Sequence, residues 1–279
     1  MTLNALKPAV TPATAADPLA QFNALVSWVK DLALKQNMPG AIIGISGTDS
    51  ILAFLVCARA FAALGKADRV MGVHYGAAFP PADKTEEQLV KILGVNPSYR
   101  WVARSIVPWL RDKAPGAQVV VDESIDFTDD YQRWASLMRS SLSGASRTEM
   151  LDAANCYWVV GTRNATEQAL GTYSNISGAV SLQPLINLYK SDILKICAGL
   201  GVPQLAIDKS RQVDCDCGRY DLAADHIDEV DMLIKLRAGE VAADTVVMDA
   251  DLREKLEAFI DQQCDYAGFK TQIPYCPPK

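Results

Sequence analysis

The 279-residue chain lacks several features that define whole classes of protein. Its seven cysteines contain no C-x-x-C pair, and an odd, unpatterned set of this kind favours reduced thiols in the cytoplasm over a disulfide framework. No apolar run reaches the roughly 20 residues that a membrane-spanning helix needs. The net charge is −6, so the chain has no basic excess that would attract nucleic acid. We therefore expect a cytoplasmic protein with neither a membrane nor a nucleic-acid partner.

Side chains of the usual nucleophile and base type are also scarce. The chain has two histidines, His74 and His226, and neither has an evident partner for a Ser–His or Cys–His pair. We expect His74 to be a strand-end residue and His226 a helix-surface residue. The single C-x-C motif at Cys215 and Cys217 has no second pair, so it predicts a loop rather than a metal site.

The N-terminal segment is rich in Ala, Pro and Thr and has no hydrophobic stretch of the signal-peptide type. We expect residues 1–18 to be a flexible leader. No internal repeat or linker composition follows it. Residues 19–279 are therefore predicted to form a single domain, which is long enough to bury a large core.

One strand–turn–helix pattern carries the functional prediction. Gly40–Ile45 is an apolar run rich in β-branched residues, which predicts a buried parallel strand. The turn Ser46–Ser50 is small and polar, and helical periodicity follows it, with Asp49 or Ser50 near the N-cap. Such a helix N-terminus can bind a phosphate through backbone N–H groups and the helix dipole. An ordinary βα turn contains the same small residues, so both interpretations stay open at this point.

Short apolar segments alternate with helical ones from residue 21 to about residue 200. Strands are predicted at 40–45, 69–75, 99–102 and 157–160, and helices at 21–36, from 50 onward, and at 85–93, 106–110, 131–138, 147–155, 189–200, 225–236 and 251–267. This alternation predicts an α/β fold, a doubly wound parallel sheet with helices on both faces. The ligand site of such a fold lies at the carboxyl ends of the strands, where both Ser46–Ser50 and Gly161–Asn164 fall.

Three motifs occur in a specific order along the chain. They are Ser46-Gly47-Thr48-Asp49-Ser50 after a strand, Gly161-Thr162-Arg163-Asn164-Ala165-Thr166-Glu167 after another strand, and Pro184-Leu185-x-x-Leu188-Tyr189-Lys190 opening a helix that ends Leu200-Gly201-Val202-Pro203. Together they resemble the ammonia-dependent NAD synthetases, a family of N-type ATP pyrophosphatases. The resemblance runs from the first helix to the C-terminal tail. It implies an adenine nucleotide alpha hydrolase-like, Rossmann-like fold.

The resemblance also implies a site for ATP and Mg²⁺. Residues that match the family's nucleotide-binding positions are Ser46, Gly47, Thr48, Ser50, Thr162 and Lys190. Asp49 and Glu167 match the two carboxylates that hold Mg²⁺, and oxygen ligands suit this hard cation. Asp49, Glu167 and Lys190 are thereby implied as the catalytic residues. Without the resemblance, Lys190 is equally well a solvated lysine at a helix start, and Glu167 a surface acid in a first helical turn.

The substrate side departs further from the family pattern. Candidate substrate-binding residues are Arg147, Ser174, Ser177, Asp214 and Lys270. Ser174 and Ser177 stand where the family has a lysine and an aspartate, and Arg147 is the one arginine kept of two. The first turn is one residue shorter than in the family, and the stiff, β-branched Thr48 follows Gly47. The turn therefore either closes differently around the phosphates or binds a triphosphate less well.

The resemblance implies a two-step activation of a carboxylate. The carboxylate attacks the α-phosphate of ATP, pyrophosphate leaves, and ammonia then displaces AMP to give an amide. In the family the acid is nicotinic acid adenine dinucleotide, and the enzymes are typically homodimers. Two alternatives stay open: a divergent ligase that uses another carboxylic acid or amine in a specialised pathway, and a nucleotide-binding homologue that has lost catalysis.

Overall fold

The computed structural model describes residues 17–75, 98–122, 124, 130–141, 157–211 and 221–271. Its helices and strands, in chain order, are α1 (Pro18–Lys35), β1 (Ala41–Ile45), α2 (Thr48–Ala62), β2 (Val70–Tyr75), α3 (Ser98–Lys113), β3 (Gln118–Asp122), α4 (Asp130–Ser141), β4 (Trp158–Val159), α5 (Ala165–Leu170), α6 (Lys190–Gly199), α7 (Gln204–Ser210), α8 (Asp221–Asp225), α9 (Ile227–Arg237) and α10 (Ala250–Ala267). None of the helices in these ranges is both long enough and apolar enough to span a bilayer.

The four strands form one parallel sheet in the order β3-β2-β1-β4. The chain builds outward from β1 to β2 and β3, and then crosses back to place β4 on the other side of β1. The boundary between β1 and β4 is therefore the topological switch point, where the loops leaving the two strands diverge and open a crevice. The two polar turns singled out in the sequence leave β1 and β4 at this boundary.

Helices cover both faces of the sheet, as the doubly wound prediction requires. Ile43 on one face of β1 belongs to the large core formed with α1, α2, α3 and α6. Its neighbour Ile42 points to the other face, where it packs with Leu137 of α4 and Val159 of β4. This alternation follows from the two-residue period of a strand. A third cluster packs α5, α9 and α10 together beside the sheet.

Two predicted helix starts differ from the structure. Helix α2 begins at Thr48 with Gly47 as its N-cap, so the N-cap is neither Asp49 nor Ser50. Pro18 is the first residue of α1, and the Asp17 side chain accepts a hydrogen bond from the backbone of residue 19 at 3.1 Å. Helix α1 therefore begins before the predicted start at residue 21, because the Asp17 cap and Pro18 favour a helix start at this point.

The predicted strand at 99–102 is wrong, since these residues lie inside the 16-residue helix α3. Ile106 and Leu110 lie four residues apart, which places them on one helical stripe. Ile106 and Leu110 are fully buried, so this stripe packs against the core. The predicted helices at 85–93 and 147–155 lie outside the described residues.

Candidate active site

Asn164 joins the two polar turns at the switch point. Its side-chain N–H group donates to Asp49 Oδ1 at 2.8 Å, which ties the loop after β4 to the start of α2. Asn164 is also the N-cap of α5: its side-chain oxygen accepts from the Glu167 N–H group at 2.8 Å, and its own N–H group donates to Glu167 Oε2 at 3.2 Å. This reciprocal pair is a capping box. One residue therefore positions both carboxylates that the sequence predicts as metal ligands.

Lys190 reaches the same place from the first turn of α6. Its ammonium group forms an ion pair with Asp49 and donates to Thr48 Oγ1 at 3.0 Å. Only 7% of the residue is exposed, so Lys190 is not the solvated helix-start lysine that the sequence alone allows. A buried ammonium group needs such partners, because removing it from water is otherwise strongly unfavourable.

The N-terminus of α6 is fixed by a second buried carboxylate. Asp231 of α9 is 1% exposed and accepts hydrogen bonds from the Thr166 hydroxyl and, at 2.7 Å, from the Ser191 N–H group. Thr166 Oγ1 in turn accepts from the Lys190 N–H group at 2.9 Å. Burial raises the pKa of Asp231, while these hydrogen bonds act in the opposite direction. The network holds the backbone from which the Lys190 side chain projects.

The pKa of Glu167 is unusual because its carboxyl group is removed from water. Burial and, to a smaller extent, the neighbouring Asp49 carboxylate raise its pKa from 4.5 to about 7, against the opposing influence of Lys190. Two carboxylates this close favour a cation between them, and their oxygens are the ligands that Mg²⁺ prefers. No cluster of three or more His, Cys, Asp or Glu side chains occurs within the described ranges. Among the described residues, Asp49 and Glu167 are the pair whose carboxylates could hold a divalent cation such as Mg²⁺.

The shortened turn closes with its threonine facing inward. The Ser50 hydroxyl accepts from the Ser46 N–H group and donates to the Gly47 carbonyl, both at 2.8 Å. Thr48 is completely buried, and its hydroxyl lies 2.9 Å from Ser210 Oγ at the end of α7. The N-cap residue of α2 is Gly47, which has no side chain to cap the helix. The positive end of α2 faces the switch point. Which of the two outcomes expected for this turn holds stays a prediction.

Three of the five predicted substrate residues lie close to Arg163, which is not among the residues predicted for the site. Ser177 Oγ accepts from Arg163 Nη2 at 3.1 Å and donates to the Ser174 carbonyl at 2.6 Å. Lys270 Nζ donates to the Gly171 and Tyr173 carbonyls, both at 2.7 Å. Ser174, Ser177 and Lys270 are therefore close together. A signal for Arg163 existed in the sequence, since it lies within the second polar turn, directly before Asn164.

The positions of the remaining predicted residues and of the two histidines are as follows. Thr162 is half-buried at the carboxyl end of β4. Arg147 and Asp214 lie outside the described residues. His74 is buried in β2, where its Nδ1 lies 3.0 Å from the Ile45 carbonyl, and burial lowers its pKa. His226 is the N-cap residue of α9, not a helix-surface residue as predicted.

A doubly wound parallel sheet with a helix N-terminus, two carboxylates and a buried lysine at its switch point is typical of α/β proteins that bind a nucleotide. Comparison with known proteins narrows this class. A family model described as NAD synthase matches residues 136–274. The NH(3)-dependent NAD(+) synthetase of Methanosarcina mazei is 31% identical over 208 residues, covering 72% of this chain and 74% of the relative. The chain belongs to the NAD synthase family, as the three sequence motifs predict.

Further relatives cover more of the chain at lower identity. The NH(3)-dependent NAD(+) synthetase of Thermotoga maritima is 27% identical over 259 residues, covering 79% of this chain and 88% of the relative. An NH3-dependent NAD synthetase from Campylobacter jejuni, solved in complex with the nitrate ion, superimposes with a TM-score of 0.55 at 18% identity, covering 94% of this chain and 100% of that one. An NMN synthetase from Francisella tularensis gives 0.56 at 17% identity, with coverages of 94% and 99%. At these identities the structural matches support the fold.

Proposed function

We propose that the protein is an ATP-dependent ligase that converts the carboxylate of nicotinic acid adenine dinucleotide into an amide with ammonia, and so forms NAD. The observation that carries this proposal is the cluster of Asp49, Glu167 and Lys190 around Asn164 at the switch point. These are the three catalytic residues that the family motifs imply. Family membership, with relatives named as NH(3)-dependent NAD(+) synthetases, supports the same activity.

In this proposal the N-terminus of α2 binds the phosphates that leave as pyrophosphate. Gly47 allows the backbone to approach a phosphate closely. The Thr48 N–H group donates to Ser210 Oγ at 3.4 Å, so the next N–H groups in the first turn of α2 would donate to the phosphate. Ser46 and Ser50 hold the turn in shape through their mutual hydrogen bond. Thr162 lies at the end of β4, where the nucleoside and α-phosphate would bind. The Lys190 ammonium group offsets the negative charge that develops on the leaving group.

Asp49 and Glu167 are the residues that would hold Mg²⁺. When bound, the ion supplies charge neutralisation for the phosphate oxygens. Asn164 keeps both carboxylates oriented through its side-chain and backbone N–H groups. Before a ligand arrives, Lys190 is the cation that partly neutralises them, because it is paired with Asp49 and lies close enough to lower the pKa of Glu167.

The chemistry requires positioning rather than a side-chain nucleophile. A carboxylate oxygen of the acid attacks the α-phosphorus of ATP, the bond from that phosphorus to the bridging oxygen breaks, and pyrophosphate leaves. Ammonia then attacks the acyl carbon, loses a proton, and AMP departs with the bonding electron pair. Such a reaction is accelerated by proximity and by fixed charges. A single-domain homodimer in the cytoplasm is part of the same proposal and rests on the family resemblance.

The test is release of pyrophosphate from Mg·ATP in the presence of nicotinic acid adenine dinucleotide and ammonium. Asp49→Asn should lower turnover by at least about 100-fold, because the carboxylate charge beside the phosphates is lost. Asp251→Asn, an exposed change in the first turn of α10, is the matched control. Pyrophosphate release by the wild type only with another carboxylic acid would favour a divergent ligase. The absence of pyrophosphate release with every acid tried would favour a homologue that has lost catalysis.

A further inference from the structure

Two cations meet on one tyrosine ring beside the catalytic cluster. The guanidinium carbon of Arg163 lies 3.6 Å from the centroid of the Tyr173 ring, and Lys270 Nζ lies 5.2 Å from the same centroid. We propose that Arg163, Tyr173 and Lys270 form an anion seat that binds an oxyanion of the acid substrate, and that Arg163 is a specificity-determining residue. This inference rests on the proposed function and deepens it.

Both cations are held in place by neutral acceptors. Arg163 donates through Nη1 to Gln168 Oε1 and through Nη2 to Ser177 Oγ, each at 3.1 Å. Lys270 Nζ donates to two main-chain carbonyl oxygens at 2.7 Å. These contacts, together with the face of the Tyr173 ring, fix the positions of the two groups. They orient the positive charges without cancelling them.

The charge of the two cations is only partly compensated, since the Glu167 carboxylate acts on Arg163 electrostatically without forming an ion pair with it. Within the described part of the chain, neither Arg163 nor Lys270 forms an ion pair with a carboxylate. Lys235 provides the contrast, since it also lies over a tyrosine ring, at 4.5 Å from the centroid of Tyr189, but pairs with an aspartate at 2.8 Å. Burial lowers the pKa of Lys270, and the positive charge of Arg163 lowers it further. Two cations that repel each other in this way favour a bound anion.

Two hydrogen-bond donors of the anion seat also lack acceptors. Arg163 Nε and the Tyr173 hydroxyl are buried and have no hydrogen-bond partner among the described residues. Buried polar groups are nearly always paired, so two orphaned donors in one cluster point to a missing acceptor. A carboxylate or phosphate supplies several acceptor oxygens, and the planar guanidinium group matches their geometry.

The location suits a substrate that must also reach the catalytic cluster. Arg163 directly precedes Asn164, whose side chain holds Asp49, so the anion seat and the carboxylates share the loop at the end of β4. Lys270 enters from the turn after α10. A ligand bound at the switch point can therefore place one anionic group on the anion seat and its reacting carboxylate beside the nucleotide site.

The test measures pyrophosphate release for Arg163→Gln while either the acid or ATP is varied. The KM for the acid should rise roughly 10- to 100-fold, the range expected for a lost charge-assisted hydrogen bond, while the KM for ATP stays within about twofold. Arg163→Lys, which keeps the charge, should recover part of the loss. Arg237→Gln is the matched control. That arginine lies away from the site and forms an ion pair with Asp261 at 2.7 Å. Lys270→Gln should give the same selective effect and serves if Arg163→Gln does not fold.

Calorimetry separates the two sources of the oxyanion and separates this inference from the proposed function. NAD keeps the pyrophosphate of the acid but lacks its carboxylate. If Arg163→Gln weakens binding of the acid alone, the anion seat binds the carboxylate; if it weakens both ligands, the anion seat binds the pyrophosphate. Binding of the acid without any pyrophosphate release would refute the proposed function but would still support the anion seat. Unchanged affinity for the acid in Arg163→Gln, or an equal rise in both KM values, would overturn the inference.

Discussion

Glu167 should destabilise the folded protein at neutral pH, and replacing it with glutamine should reveal by how much. Burial and the nearby Asp49 charge raise its pKa from 4.5 to about 7. Because the folded protein holds this proton where the unfolded chain has released it, stability falls as the pH rises from 4.5 to about 7. A pKa difference of about 2.5 corresponds to about 3 kcal/mol above pH 7. In the proposed function this unfavourable charge is kept because the Glu167 carboxylate would hold Mg²⁺.

Glu167→Gln keeps an oxygen that can accept from the Asn164 N–H group but cannot ionise. We expect the variant to be more stable than the wild type by about 3 kcal/mol at pH 8, or about 5 °C in melting temperature, and by less than about 1 kcal/mol at pH 5. Pyrophosphate release should be lost. Millimolar Mg²⁺ should raise the melting temperature of the wild type at pH 8 but not that of the variant.

The assay is thermal and denaturant unfolding of both proteins between pH 5 and pH 8. Glu254→Gln, an exposed change on α10, is the control, and its stability difference from the wild type should not vary with pH. A difference for Glu167→Gln that is constant across this pH range would refute the reasoning. A variant less stable than the wild type at pH 8 would do the same, because Glu167 would then be favourably ionised in the folded state.

Two further substitutions test the packing of the site. Lys190→Met should lower the free energy of unfolding by roughly 3–5 kcal/mol, because it leaves the Asp49 charge without its buried partner; the double variant with Asp49→Asn should recover much of this, and additive losses in denaturant unfolding would contradict the coupling. Gly171→Ala should cost more than about 2 kcal/mol, since the position has a φ of +67° and an added Cβ would lie 2.0 Å from Ala267 Cβ. The control Gly201→Ala has a similar φ of +72° but open space around it, so a cost as large as that of Gly171→Ala would refute the role of the steric contact.

The parts of the fold that the sequence predicts correctly are those with one dominant local signal. β1 is a β-branched run between Gly40 and a polar turn, and its alternate residues are buried on the two faces of the sheet. The topology rule for parallel sheets then places the turns after β1 and β4 at one edge. The pairing of Asp49 with Glu167 is what the family resemblance implies, and the topology rule is consistent with it because their turns lie at this edge. The capping box between Asn164 and Glu167 is likewise visible as a local Asn-x-x-Glu pattern.

The errors occur where a short apolar run fits two periods. Residues 99–102 satisfy a strand pattern, and only the continuation to Ile106 and Leu110 shows a helical stripe. β3 was not predicted as a strand, since its three successive valines show no alternation. In the structure it is an edge strand in which Val119 is buried and Val120 is 40% exposed. An edge strand shows neither the continuous apolar run of a buried strand nor the strict alternation of an amphipathic one. Its sequence pattern therefore does not identify it as a strand.

Arg163 was not predicted as a site residue for a different reason. Its position at the end of β4 is local information, but its chemistry depends on Tyr173 and Lys270, which reach it through a left-handed Gly171 and the turn after α10. Residue type alone cannot distinguish an arginine paired with an acid from one held only by neutral groups, because that difference lies in the partners. The same logic applies to Lys190, which becomes a buried cation only because α6 begins beside Asp49. Sequence motifs therefore locate the edge of the sheet at which ligands bind, whereas the distribution of uncompensated charge, which decides what binds there, is a property of the folded chain.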